Sequence, residues 1–239
     1  MTSAFSRYAV YAIPDPASPL FQRASRWLGW DSVAAVETLF PGPGELDNPA
    51  SLDIERLTRT PRKYGFHGTL KPPMRLADGC DEAALIARTA DLAATLTPVA
   101  VPALDIAVIG RFLALVPTTA NAALSDVAAA IVTGLDDFRR PADDAELATR
   151  RANGLSARQD ELLCEWGYPY VLDEFRFHMT LSGQQSPGEV VAVQAMLTEW
   201  LGAYIPAPLM IDRLAIMGEA EDGRFRMMAS LAIGGRAQG

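Results

Sequence analysis

The sequence predicts an α+β fold: a bilobal, pseudo-two-fold duplication, each lobe an antiparallel sheet flanked by helices, with a central cleft. Three observations predict it. The pattern Phe-His-x-Thr-Leu occurs twice, at 66–70 and at 177–181. Each copy is followed by a capped helix and then by two strands that meet at a glycine, Gly110 in one half and Gly218 in the other. These glycines lie at similar distances, 43 residues past His67 and 40 past His178. Upstream, a strand and then a helix precede each motif. Self-similarity of this kind is the sequence mark of a repeated supersecondary unit. The approximate lobes are 1–110 and 111–233. The tail of the first lobe's hairpin doubles as the first strand of the second, so one bilobal domain is expected over 1–239.

In chain order, Arg7 to Ile13 reads as a strand that Pro14-Asp15-Pro16 stops. Ser18 caps a helix with Pro19 at its first position, and Gly29 ends it after Leu28. A loop starts at Pro41-Gly42-Pro43-Gly44 and runs past Pro49. Ser51 to Thr58 is a short helix or turn, and the first motif strand follows, ending at Pro72-Pro73. Asp81 caps the next helix and Pro98 ends it. Leu104 to Ile109 and Phe112 to Val116 are strands around Gly110-Arg111. Asn121 opens a helix with Leu124, Val127, Ala128, Ile131, Leu135 and Phe138 on one stripe, closed by Pro141. Asp143 to Asn153 is a loop or an exposed helix, with Arg150-Arg151 an exposed charge pair. Ser156 to Gln159 is a capping box for a helix that Gly167 stops. Tyr168-Pro169-Tyr170 leads into the second motif strand. Ser186 to Glu189 is another capping box, with Val190, Val193, Leu197, Trp200 and Leu201 on the buried side. Leu209 to Met217 and Arg224 to Ile233 form a hairpin, and 234–239 is a frayed tail.

Composition narrows the function. A chain of 239 residues with 49% hydrophobic residues can bury a sizeable core. No apolar run approaches the ~18–20 residues of a membrane span, and Met1 to Tyr8 has no signal-peptide form. A cytoplasmic protein without membrane attachment is expected. The net charge of −8 disfavours long nucleic acid as a partner, because such binding needs many Lys and Arg contacts to phosphate. It leaves room for a small phosphorylated substrate held in a locally cationic cleft. The two cysteines, Cys80 and Cys164, match no zinc or redox spacing and read as idle thiols.

The chemistry is concentrated in the two motifs, which hold both histidines of the chain. Side chains alternate between the faces of a strand. In the first motif Lys63, His67, Thr69 and Lys71 share one face, and Tyr64, Phe66 and Leu70 the other. In the second, Arg176, His178, Thr180 and Ser182 face opposite to Phe175, Phe177, Met179 and Leu181. Two histidines on facing strands supply a base and an acid near neutral pH. Two threonine hydroxyls supply hydrogen bonds for phosphoryl oxygens. Lys71 and Arg176 are candidate sources of positive charge, and Tyr11 and Tyr170 are candidate stacking surfaces for a base or sugar. Ser182 falls past the cleft. The histidines lack clustered carboxylates, so no metal or other cofactor is expected.

The chain resembles the two-histidine (2H) phosphoesterase superfamily over nearly its whole length, through its paired His-x-Thr motifs and their flanking elements. The wording from Lys63 to Pro73, with Tyr168-Pro169-Tyr170 before the second motif, looks like the branch encoded with phosphonate-degradation genes. The resemblance implies that His67 and His178 are catalytic and that Thr69 and Thr180 bind phosphate. It implies hydrolysis of a small cyclic phosphodiester: a cyclic nucleotide or a cyclic ribosyl phosphate. Which histidine is base and which is acid stays open at this level. Two other readings are a nucleotide or phosphosugar binding module without turnover and an RNA-end processing factor. The acidic balance counts against the latter.

Overall fold

The computed structural model describes residues 5–48, 51–152 and 154–235. The chain starts with β1 (Tyr8–Ala12) and α1 (Pro19–Leu28). The Ser18 hydroxyl accepts the Phe21 N–H at the start of α1, and Gly29 at φ 77° ends it, a left-handed conformation that glycine adopts without strain. A two-residue pair that sequence reading missed, β2 (Trp30–Asp31) and β3 (Val36–Glu37), follows. α2 (Ile54–Arg62), capped by Asp53, runs past Thr58. β4 (Gly68–Met74) carries the first motif and continues through Pro72-Pro73.

Asp81 caps α3 (Glu82–Thr95), and β5 (Val99–Val101), β6 (Leu104–Ile109) and β7 (Phe112–Pro117) follow. α4 (Ala122–Gly134) stops before the expected Pro141, and a 3-10 turn over Asp136–Phe138 takes up the remainder. The polar stretch after it contains a real helix, α5 (Asp144–Arg151), and the capping box at Ser156 starts α6 (Ala157–Trp166). Only two residues of the second motif are regular strand, β8 (Met179–Thr180), because a 3-10 turn occupies Leu172–Glu174 ahead of it. α7 (Pro187–Leu201) is followed by β9 (Leu209–Ile211), β10 (Arg213–Glu219) and β11 (Phe225–Ala232). The expected strand from Leu209 is split in two: β9 pairs with β5, and β10 with β11. The loop end at Pro49 and the tail beyond 235 lie outside the described residues.

The architecture is α+β, with one seven-stranded sheet in the order β11-β10-β1-β4-β8-β7-β6, antiparallel at each junction. The motif strands were expected to face each other across a cleft. They are neighbours instead, hydrogen-bonded side by side at the middle of the sheet. Moving outward from that junction, β1 flanks β4 and β7 flanks β8. Then β10, from the chain's last hairpin, flanks β1, and β6 flanks β7. The second half of the sequence thus lends β10 and β11 to the first half's side of the sheet, and the first half lends β6 to the second's.

The helices cover one face of this sheet. Trp27 and Phe21 of α1, Ile131 of α4 and Trp200 of α7 are buried with Val10, Leu70, Met179 and Leu181 of the strands. Burying a side chain of this size is worth roughly 1.5–3 kcal/mol. Trp27 also donates its indole N–H to the Leu181 carbonyl at 2.7 Å, tying α1 to the end of the second motif. Ser182 is likewise structural: buried, it accepts the Leu113 N–H at 3.0 Å. The opposite face carries a smaller cluster of Ala9, Tyr11, Ala215, Met217 and Phe225. Among the described residues no helix is long and apolar enough to cross a membrane.

Candidate active site

The site grows from the β4–β8 junction. Gly68 and Met179 are partners there. One step either side, antiparallel pairing sets His67 opposite Thr180 and Thr69 opposite His178, and directly opposed residues point to the same face. Each histidine therefore neighbours the threonine of the other motif. The apolar partners Phe66, Leu70, Phe177, Met179 and Leu181 are buried on the other side, as the alternation predicts.

The middle position of the first motif is glycine for a steric reason. A Cβ at Gly68 would sit 2.3 Å from the Phe177 ring, far inside van der Waals contact. The two motif strands approach that closely because one of them has no side chain at the crossing.

Both histidine rings are oriented by the same device. His67 Nδ1–H donates to the Gly65 carbonyl at 2.9 Å, and His178 Nδ1–H donates to the Arg176 carbonyl at 2.8 Å. A carbonyl only accepts, so Nδ1 carries the proton in each ring. In a neutral ring Nε2 then holds the lone pair. Nε2 of His67 lies 3.2 Å from the Thr69 hydroxyl. Nε2 of His178 has no hydrogen-bond partner among the described residues and is open to a ligand.

The surroundings of the two rings differ. Tyr11 pairs with Thr69 across β1–β4, and its ring stacks on His67 at 3.7 Å and 20°. The residue that pairs with Thr180 across β7–β8 is Ala114, which has no ring to offer. His178 instead has Phe112 tilted beside it at 5.8 Å. Tyr64 also approaches His67, at 6.0 Å. This packing desolvates His67 and pushes its pKa down to about 4, against the Gly65 hydrogen bond, which favours the charged form; the nearby His178 lowers it further. His67 is therefore neutral at pH 7.

The remaining candidates scatter. Tyr11 is buried, and burial pushes its phenol well above the ordinary value, so it supports His67 as a neutral ring and offers no exposed stacking face. Lys71, expected in the cleft, is 2% exposed. Its ammonium donates to the Val132 carbonyl in the last turn of α4 at 2.9 Å and sits 3.6 Å from Asp136. A cation there satisfies an open carbonyl and the negative end of the helix dipole. Burial lowers the Lys71 pKa to about 8, partly offset by Asp136. Arg176 is exposed and contributes its carbonyl to His178, while its guanidinium makes no ion pair among the described residues. Tyr170 is 46% exposed and stands edge-on to Tyr168 at 5.7 Å.

Sequence reading placed Tyr64 on the core side with Phe66. It lies on the site side, against Phe225 at 5.1 Å. The alternation did not apply there because α2 runs to Arg62 and Gly65 at φ 73° turns the chain before the strand begins. Phe225, Tyr168 and Arg7, which also border the site, were missed. Only Arg7 carried a signal, sharing a strand face with Tyr11. Among the described residues no group of three or more His, Cys, Asp or Glu side chains is gathered tightly enough to hold a metal ion.

A family model described as "Protein of unknown function (DUF1045)" matches residues 69–226. Two relatives carry the name ribose 1,5-bisphosphate phosphokinase PhnN. The one from Janthinobacterium sp. (strain Marseille) is 33% identical over 229 residues, covering 93% of this chain and 49% of the relative. The one from Laribacter hongkongensis (strain HLHK9) is 34% identical over 224 residues, covering 91% and 49%. The chain thus spans about half the length of these relatives. Among solved structures, E. coli LigT complexed with NADP+ aligns over 97% of this chain and 99% of its own, at 12% identity and a TM-score of 0.41. LigT complexed with 3′-AMP aligns over the same shares at 13% identity and a TM-score of 0.43. The chain belongs to the DUF1045 family.

Proposed function

We propose that this chain is a two-histidine phosphoesterase that hydrolyses a small cyclic phosphodiester without needing a metal ion. The observation that carries the reading is the β4–β8 register, which gathers two histidines and two threonines on one face with both Nδ1 atoms tied back to carbonyls. His67, neutral at pH 7, acts as the base and takes a proton from water. The water oxygen attacks phosphorus and the ring P–O bond breaks. His178, in its protonated form, gives its proton to the departing oxygen, leaving an acyclic phosphomonoester and a free hydroxyl. Thr69 and Thr180 donate hydrogen bonds to the phosphoryl oxygens as charge builds on them. Each proton-transfer group is typically worth about 10² to 10⁴ in rate.

The names of the relatives support a phosphorylated ribose as the substrate class and a place in phosphonate metabolism. A phosphate-binding loop of the P-loop type needs a Gly-Lys step, and this chain has none among its 239 residues. The kinase in the relatives' name is therefore assigned to the half of those proteins that this chain does not match. In this reading the chain opens a cyclic phosphate of a ribosyl compound, giving a phosphomonoester of the kind a ribose bisphosphate kinase accepts.

The test is turnover of 2′,3′-cyclic nucleotides, ribose cyclic phosphates and ADP-ribose cyclic phosphate, with chelator present, by wild type, His67→Ala and His178→Ala. Chelator-resistant hydrolysis that either substitution abolishes is the expected result. Turnover that survives both substitutions would remove the histidines from the chemistry. A protein that binds these compounds and never turns them over would be a binding module.

A further inference from the structure

A second cavity, of about 330 Å³, lies beyond the site at the far end of β4 and is lined by Arg7, Arg75, Arg139, Arg140 and Arg150. Its wall is built from segments distant in sequence. Arg7 precedes β1, Arg75 follows β4, Arg139 and Arg140 follow the 3-10 turn after α4, and Arg150 lies in α5. The second and third segments are laced together: the Arg140 N–H donates to the Arg75 carbonyl at 2.8 Å, and the Ala77 N–H to the Phe138 carbonyl at 2.9 Å. The guanidinium groups are thereby held on ordered backbone.

The charge there is only partly balanced. Glu219 takes both Nε and Nη2 of Arg7 at 2.6 Å, Asp136 takes Arg139 at 2.7 Å, and Glu146 takes Arg150 at 3.3 Å. Arg75 and Arg140 have no carboxylate within ion-pair distance among the described residues. The remaining acid of the wall, Asp143, accepts the Glu146 N–H at the start of α5. A guanidinium fork matches phosphate oxygens two at a time, which makes arginine the favoured residue for such recognition.

Packed rings connect the lining of the cavity to the histidines. The Arg7 guanidinium lies 5.9 Å from the Phe225 ring centre. Phe225 lies 6.1 Å from Tyr11, which stacks on His67. Arg150 lies 5.3 Å from the Tyr168 ring centre. Phe225 and Tyr11 are buried, so these rings act as a rigid packed link that fixes the Arg7 side of the pocket relative to His67.

We propose that this arginine pocket is a second anion subsite, which grips a phosphoryl group of the substrate remote from the cyclic ester. The inference rests on the phosphoesterase reading, and it narrows the substrate to a compound phosphorylated at two separated positions.

The experiment has two arms. In the first, kcat/KM is measured for a 2′,3′-cyclic nucleotide with and without a 5′-diphosphate, on wild type and on the double variant Arg75→Gln/Arg140→Gln. Wild type should prefer the diphosphate form, and the variant should lose that preference about 10- to 100-fold, the range expected for lost charge-assisted hydrogen bonds. In the second, inorganic pyrophosphate binding is followed by calorimetry. Wild type and a His67→Ala/His178→Ala variant should bind it, and the arginine variant should bind about tenfold or more weakly. Equal binding by wild type and the arginine variant, or none by wild type, would overturn the subsite. If no cyclic phosphate is turned over, the phosphoesterase reading fails by itself and the pyrophosphate arm still decides the pocket.

Discussion

Stacking Tyr11 on His67 has a thermodynamic cost that pH should reveal. The His67 pKa falls from an ordinary 6.5 to about 4 in the folded chain. The unfolded chain keeps the ordinary value. Between these two values the unfolded state binds the proton and the folded state does not, so stability is full above pH 6.5 and declines as pH falls towards 4. Below that both states are protonated and the loss levels off. One pKa unit corresponds to 1.36 kcal/mol, so going from pH 7.5 to 4.5 should cost roughly 2–3 kcal/mol through this one residue. The perturbation that isolates it is His67→Gln, which removes the titration. Urea unfolding of both proteins at pH 7.5, 6.0, 5.0 and 4.5 should show wild type losing that amount relative to the variant. The His67 ring protons in an NMR titration should stay in the neutral form to below pH 5. Parallel stability curves, or a His67 midpoint near 6.5, would refute the argument that the Tyr11 stack keeps this ring neutral.

Other expectations follow from the same contacts. Tyr11→Leu should move the His67 midpoint up towards 6.5, with the acid limb of kcat/KM moving alongside it; an unmoved midpoint would assign the shift to other groups. Gly68→Ala should cost about 1–3 kcal/mol by forcing a Cβ against Phe177, and adding Phe177→Leu should recover part of that loss in the same unfolding measurement. Lys71→Ala should destabilise the fold by about 1–3 kcal/mol, since it leaves the Val132 carbonyl without its donor while Asp136 keeps Arg139, and KM for a cyclic phosphate should stay near wild type. A KM change without a stability change would return Lys71 to the cleft. Thr180→Val should lower kcat about 10²- to 10³-fold with little effect on unfolding, in keeping with loss of a transition-state hydrogen bond.

Much of the molecule was legible because its signals are local. Ser18, Asp81, Asn121 and Ser156 each announce a helix by a side chain that accepts the N–H three residues ahead, and each such helix is present. The motif alternation correctly divided His67 and Thr69 from Phe66 and Leu70, because it depends only on neighbours within the strand. The sequence did not show where Lys71 goes. Alternation puts it on the face of Thr69, but the β1–β4 pairing shifts register between the two: Thr69 pairs with Tyr11 and Lys71 with core-facing Val10, so Lys71 turns towards α4 and the Val132 carbonyl. The split at Asp212 was hidden for the same reason. β9 leaves the hairpin because β5 offers it a partner some 110 residues away in the chain.

The inequivalence of the two histidines is the deepest of these hidden features. Read along the chain, the motifs are near copies, and nothing in Phe-His-Gly-Thr-Leu or Phe-His-Met-Thr-Leu assigns different roles. The difference enters through the next strand out. Tyr11 and Ala114 occupy matching stations, each across from a motif threonine. One supplies an aromatic ring that shuts water away from His67, and the other leaves His178 open. Acid–base catalysis needs one group that starts neutral and one that starts charged, and two histidines in identical settings would titrate together. A repeated motif supplies two equivalent groups, and the flanking strands make them unequal. The proposed roles therefore rest on residues outside both motifs, and exchanging the flanking pair (Tyr11→Ala with Ala114→Tyr) should move the depressed pKa from His67 towards His178. An NMR titration of the two rings in that double variant reads this directly: a low midpoint that stays with His67 would mean that the motifs themselves, and not their neighbours, set the roles.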